Sequence, residues 1–135
     1  MPLLLDTGAV YALADEDDRW HASMRDLILS AEETLLVPAT ALCEIAYLLR
    51  SRLSEAAERA FVESLAAGEL LVENVTRPDL VRAARLMKQF SFLGFVDASI
   101  VSLAERLRLK SLVTTDRRDF SRVRPIHVKS FELLP

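Results

Sequence analysis

Four acidic residues stand where a carboxylate has little local reason to be. Asp6 ends the run LLL, Asp116 ends SLVTT, Asp97 opens DASIVSLAERLR, and Glu44 sits inside the apolar stretch TALCEIAYLLR. Lone glutamates in such surroundings are rarely buried without a partner. Carboxylates brought to one place repel, by about 4 kcal/mol per pair at ~4 Å and an effective dielectric of ~20. A fold with roughly 5–15 kcal/mol of net stability does not carry several such terms unneutralised. A divalent cation resolves the conflict, and ligation by oxygen alone selects hard ions, Mg2+ or Mn2+. Zinc is disfavoured, because His21, His127 and Cys43 show no ligand spacing. One chemistry open to such a site is metal-assisted hydrolysis. Thr7 and Thr115 lie next to two of the acids and offer hydroxyls. Arg117 and Arg118 follow Asp116 and offer guanidinium groups to phosphate.

Each acid also has an ordinary explanation. Asp97 fits a helix N-cap. Asp6 and Asp116 fit turns after strands, and Asp119 fits a turn or a cap for a short segment after Asp116. Thr7 and Thr115 fit pleat-edge residues, and the two arginines fit surface partners of Asp119. Only convergence in space separates the two readings.

The elements that must bring about that convergence are legible as alternating runs. Strand-length apolar runs fall at Leu3–Leu5, Thr34–Val37, Glu69–Val75 and Ser111–Thr114, with a weaker one at Ile126–Phe131. They lack polar alternation, which predicts strands covered on both faces. Helical patterns fill 20–31, 40–50, 54–67, 78–90 and 97–108. Strands alternating with helices predict an α/β three-layer domain with a mainly parallel sheet. In such sheets ligands bind beyond the carboxyl ends of the strands, where Asp6 and Asp116 fall.

Composition sets the bounds. The 135 residues suit one domain spanning 1–135, and 51% hydrophobic with 27% charged residues is an ordinary soluble balance. No apolar run reaches membrane length. A single cysteine permits no internal disulfide, so a reducing cytoplasm is the expected compartment. Residues 1–75 carry 14 acids and 5 bases, or −9, and residues 76–135 carry 6 acids and 12 bases, or +6. Fourteen of the 17 bases are arginine, a composition compatible with a nucleic-acid partner.

In the order LLLDTGAVYALAD, ALCEIAYLL, GFVDASIVSLAERL and LVTTDRRDF, the sequence resembles the PIN-domain ribonucleases, most closely the VapC-type toxins of toxin–antitoxin pairs. The resemblance covers essentially the whole chain. It implies a PIN-like α/β/α fold and a Mg2+-dependent endoribonuclease. The acidic quartet maps onto Asp6, Glu44, Asp97 and Asp116, and its hydroxyl positions onto Thr7 and Thr115. It further implies a homodimer, an RNA substrate and a cognate antitoxin protein lying over the active-site groove. The segment DEDDRWHASM falls in the variable region, so no role passes to His21. The apolar helices at 40–50 and 54–66 present Leu48, Leu49, Leu53, Phe61 and Leu65, which serve a core, a dimer contact or an antitoxin groove. The rival readings are a non-toxin PIN-type RNA-processing nuclease, an idle PIN-like module that only binds RNA or protein, and, from another class, a phosphoacceptor receiver domain. The last fits poorly, because Asp6 is followed by Thr7 rather than a second acid.

Overall fold

The computed structural model describes residues 1–135. Five strands are separated by helical crossovers. β1 (Leu3–Leu4) leads to α1 (Thr7–Ala14) and α2 (His21–Ser30), and β2 (Leu35–Pro38) follows. A 3-10 turn at Ala39–Ala41 then enters α3 (Leu42–Arg52) and α4 (Glu55–Ala66). Beyond β3 (Leu71–Glu73) come α5 (Arg77–Gln89) and α6 (Phe95–Leu107). The chain closes with β4 (Ser111–Val113), α7 (Arg117–Arg122) and β5 (Glu132–Leu134). β1, β2 and β3 pair in that order, and β4 pairs with β5, all parallel. A parallel bridge from Leu5 to Val113 joins the two sets, giving the spatial order β3-β2-β1-β4-β5.

Alternate residues of the inner strands feed opposite layers. Leu4, Leu36 and Leu112 pack with residues of α5, α6 and α7. Leu3, Leu5, Val37 and Val113 pack with residues of α1 to α4. Both sets are apolar because both faces are covered, which is why the inner runs show no polar alternation. The result is a three-layer α/β/α arrangement with a parallel sheet. The expectation of two covered faces fails at β3, where Leu71 and Val72 are 45% and 38% exposed. β3 lies at the sheet edge and the layers do not close over it. The last strand is also displaced. The run Ile126–Phe131 is mostly bend, and pairing begins at Glu132, opposite Ser111.

Helix ends follow local chemistry. Ser54 caps α4 by accepting from Ala57 N at 3.1 Å. Thr76 and Asp79 form a reciprocal capping box at α5, with Pro78 in its first turn. α1 follows β1 with only two residues between and is held by Asp6 as its N-cap. α6 starts at Phe95 with Gly94 at its cap, two residues before the expected start at Asp97. Asp97 is therefore not an N-cap.

α6 is clamped by ions. Glu105 is 7% exposed and accepts from Arg82 Nε at 2.7 Å and Nη2 at 3.0 Å, and from Ile126 N at 2.8 Å. Arg106 bonds Asp79 through Nε, at 3.0 Å to Oδ2, and reaches Glu73 at 3.1 Å. Two arginines of the basic half are thus consumed internally, so the sequence charge overstates the free basic surface. Glu105→Ala removes a buried acceptor and leaves the half-buried Arg82 guanidinium and the Ile126 amide without it. It is expected to cost about 3 kcal/mol in urea unfolding. A loss under about 0.5 kcal/mol would contradict the clamp.

Candidate metal centre and active site

β1 and β4 are adjacent and parallel, so their carboxyl ends emerge side by side. Main-chain bonds fix the register there: Leu5 N donates to Leu36 O at 2.9 Å and Asp6 N to Val113 O at 3.1 Å. Asp6 is 6% exposed. Its Oδ1 accepts from Ala9 N at 2.8 Å, capping α1, and its Oδ2 accepts from the Thr114 hydroxyl. Thr114 Oγ1 in turn accepts from Asp116 N at 2.8 Å. One buried threonine thus ties Asp6 to Asp116. The hydroxyls expected to matter are those of Thr7 and Thr115. Thr115 Oγ1 lies against the start of α1, so close to Gly8 that a side chain there would force the hydroxyl to move. Thr7 Oγ1 is buried and meets no hydrogen-bond partner within the chain.

Asp116 is also the N-cap of α7, accepting from Asp119 N at 3.1 Å. The same turn carries the Asp119 carboxylate toward Asp97. Carboxylate oxygens of Asp97, Asp116 and Asp119 lie within 4.8 Å of one another, and all three residues are half-buried. Asp119 was read from sequence as a turn or cap residue. The D-x-x-D spacing over 116–119 is itself the signal for a helix start that brings both acids to one place. Asp6 and Glu44 stand outside this close trio but within reach of its field. Charges on Asp97 and Asp116 act on Asp6, and the charge on Glu44 acts on Asp97. Glu44 is exposed, contrary to the burial its apolar sequence neighbours imply. On α3 the buried residues are Ile45 and Leu49, and Glu44 occupies a different face.

The electrostatics are those of uncompensated negative charge. Burial, then the neighbouring acids, pushes Asp6 up to about 7, against the lowering bonds from Thr114 and Ala9. Burial and the charges of Asp116, Glu44 and Asp119 push Asp97 up to about 6. No arginine or lysine forms an ion pair with Asp6, Glu44, Asp97 or Asp116; Asp119 has one long contact, 3.8 Å to Arg122. Arg117 bonds the main-chain oxygen of Pro135 and lies over the Trp20 ring, and the Arg118 side chain is exposed. An all-oxygen set of half-buried acids with no counter-cation, beside an orphaned buried hydroxyl, fits a hard divalent ion.

Chains of known kind share this architecture. Residues 3–125 match the PIN domain family. The chain belongs to the PIN domain family. It is 33% identical to ribonuclease VapC26 of Mycobacterium tuberculosis over 135 aligned positions, covering 98% of this chain and all of that protein. Among solved structures, the M. tuberculosis VapC20 toxin, described as cleaving the sarcin–ricin loop, superposes with a TM-score of 0.82 at 22% identity. That match covers 94% of this PIN-domain chain and 98% of the toxin. VapBC2 of Rickettsia felis, bound to promoter DNA, superposes with a TM-score of 0.72 at 16% identity over the full length of both chains. The α/β/α layers expected of a PIN-like fold are those observed. No helix of this PIN domain is long and apolar enough to cross a membrane.

The raised values carry a definite sign. Asp6 and Asp97 bind protons more tightly folded than unfolded, so their contribution is most favourable below about pH 4. It is lost as pH rises through 6 and 7. In EDTA the protein is therefore expected to lose stability between pH 5 and 8. Asp97→Asn removes part of that loss and should be more stable than wild type at pH 8 by about 1–2 kcal/mol, after discounting for partial exposure. Denaturant unfolding at pH 5 and 8 checks both. An Asp97→Asn variant less stable than wild type at pH 8 in EDTA would contradict the repulsion.

Proposed function

We propose that this PIN-domain protein is a divalent-metal-dependent endoribonuclease, with Mg2+ or Mn2+ as its ion, and that it acts as the toxin of a toxin–antitoxin pair. The observation that carries the reading is the trio of carboxylates within 4.8 Å with no cation beside Asp97 or Asp116. The ribonuclease name of the 33% identical relative supports the reaction class.

Asp97, Asp116 and Asp119 would hold the ion, with Asp6 closing the buried side and Glu44 the open side. A bound divalent ion supplies a Lewis acid that polarises the phosphate and makes nearby water more acidic. The chain's own groups do the rest. Thr114 fixes Asp6 and the Asp116 main chain, so neither acid rotates away. Thr7 Oγ1 and Thr115 lie beside these acids as further hydrogen-bonding groups for water or phosphate. Arg117 and Arg118, exposed on the rim, offer charge-assisted donors to phosphates flanking the scissile one. Water adds to phosphorus, one P–O ester bond breaks, and the leaving oxygen takes a proton.

A toxin–antitoxin complex of Klebsiella pneumoniae and a DNA-bound VapBC of Salmonella typhimurium, both similar in fold, support an antitoxin partner. An apolar cavity of about 250 Å3 between α1, α3 and α4, lined by Leu13, Leu49, Phe61 and Leu70 among others, is the surface we assign to it. Of the five apolar residues expected to serve core or groove, Leu49 and Phe61 are buried and line the cavity, and Leu48, Leu53 and Leu65 are half-buried outside its lining. We further propose a homodimer; Tyr47 on α3 and Leu80 and Val81 on α5 are exposed apolar side chains available to a second copy.

Purified protein is expected to cleave RNA internally with Mg2+ or Mn2+ and not in EDTA. Asp97→Asn and Asp6→Ala should each lower the rate about a hundredfold or more while remaining folded. Sequencing the new RNA ends gives the target. Undiminished cleavage in EDTA, or by Asp97→Asn, would refute the assignment.

A further inference from the structure

Strong negative charge next to arginines usually ends in ion pairs, yet Arg117 makes none and Arg122 only a long one, 3.8 Å to Asp119. Arg117 follows Asp116 directly, and Arg122 lies three residues after Asp119. Each guanidinium instead sits over an aromatic ring. Arg117 lies 5.2 Å from the Trp20 ring centroid, and Arg122 lies 3.9 Å from that of Phe92. Arg19 also lies 5.2 Å from the Trp20 ring. Significant cation–π contacts occur roughly once per 70–80 residues, so two on one indole beside an acidic site need a reason. Trp20 is half-buried and packs on the α1–α4 core layer, so its ring is fixed before any guanidinium arrives.

Magnitudes show why the ring matters. A cation–π contact matches an exposed ion pair in strength, and a hydrogen bond from a charged donor is stronger than either. Arg117 has one of each, to the ring of Trp20 and to the main-chain oxygen of Pro135. Together they outweigh a single exposed carboxylate. A half-buried cluster attracts more strongly, and the ring is one of the two contacts that oppose it.

We propose that Trp20 is a positioning residue for the ion site: its indole engages the Arg117 guanidinium and keeps it from neutralising Asp116, Asp97 and Asp119. The arginine is thereby left on the rim, facing solvent. At the other end of α7, Arg122 lies over Phe92 and keeps a 3.8 Å ion pair with Asp119. The inference rests on the divalent-ion reading of the site.

The test is Mn2+ affinity, measured by calorimetry on the full chain. Trp20→Ala is expected to weaken Mn2+ binding about threefold or more, the equivalent of one cation–π contact, because Arg117 now competes for the acids. Trp20→Phe, which keeps an aromatic face, should stay near wild type. Adding Arg117→Gln to Trp20→Ala should return the affinity to the wild-type value, which a merely structural role for Trp20 would not do. Should Trp20→Ala fail to fold, Trp20→Leu keeps apolar bulk without the ring and is expected to weaken binding equally. Wild-type affinity in both the Ala and Leu variants, or a loss that persists with Arg117→Gln, overturns the role of Trp20 while the ion reading stands. A wild-type protein that binds no Mn2+ overturns both.

Discussion

Mutual repulsion among carboxylates delivered to one edge of a parallel sheet is the constraint around which this molecule is built. At a few ångströms each pair is costly, and burial of Asp6 adds to the cost. The protein does not relieve it internally. Its internal acid–arginine pairs are spent on clamping α5 to α6, and none reaches Asp6, Asp97 or Asp116. On the proposed reading that repulsion becomes affinity for a hard cation, and a bound ion would add stability that its withdrawal removes.

The rest of the fold serves to hold these groups still. β1 and β4 lie side by side near the middle of the sheet, with apolar layers on both faces. The buried Thr114 links the two strand ends, so Asp6 and Asp116 move as a unit. α6 is locked through Glu105 and Arg106, which sets the position of Asp97 two turns away on the same helix. Thr40 and Ser99, 2.6 Å apart, tie the turn before α3 to α6 and so relate Glu44 to Asp97. Rigidity here comes from ordinary packing and a few buried polar bonds.

Much of this was legible in the residues. Apolar runs at Leu3–Leu5 and Ser111–Thr114, each ending on an acid, gave both the parallel sheet and the edge at which Asp6 and Asp116 emerge. The misreadings share one cause, since they concern geometry that only tertiary contacts decide. Glu44 looked buried because its sequence neighbours are apolar, yet the helix turns it outward. Asp97 looked like a cap because it opens a polar-to-apolar change, whereas Gly94 and Phe95 begin the helix. Thr114 and Thr115 are indistinguishable by type, and the pleat alone decides which hydroxyl faces Asp6. Asp119 was hidden by a helix of six residues, too short to show a period. The last strand slipped because its register is set by β4 and not by its own pattern.

The direct measurement is a crystal structure of the protein grown with Mn2+, read from the anomalous signal of the ion. The account predicts one strong peak among the carboxylates of Asp97, Asp116 and Asp119, at about 2.0–2.2 Å from their oxygens, with Arg117 still stacked on Trp20. A structure with no ion there, and an arginine or lysine drawn into the acidic pocket in its place, would contradict it.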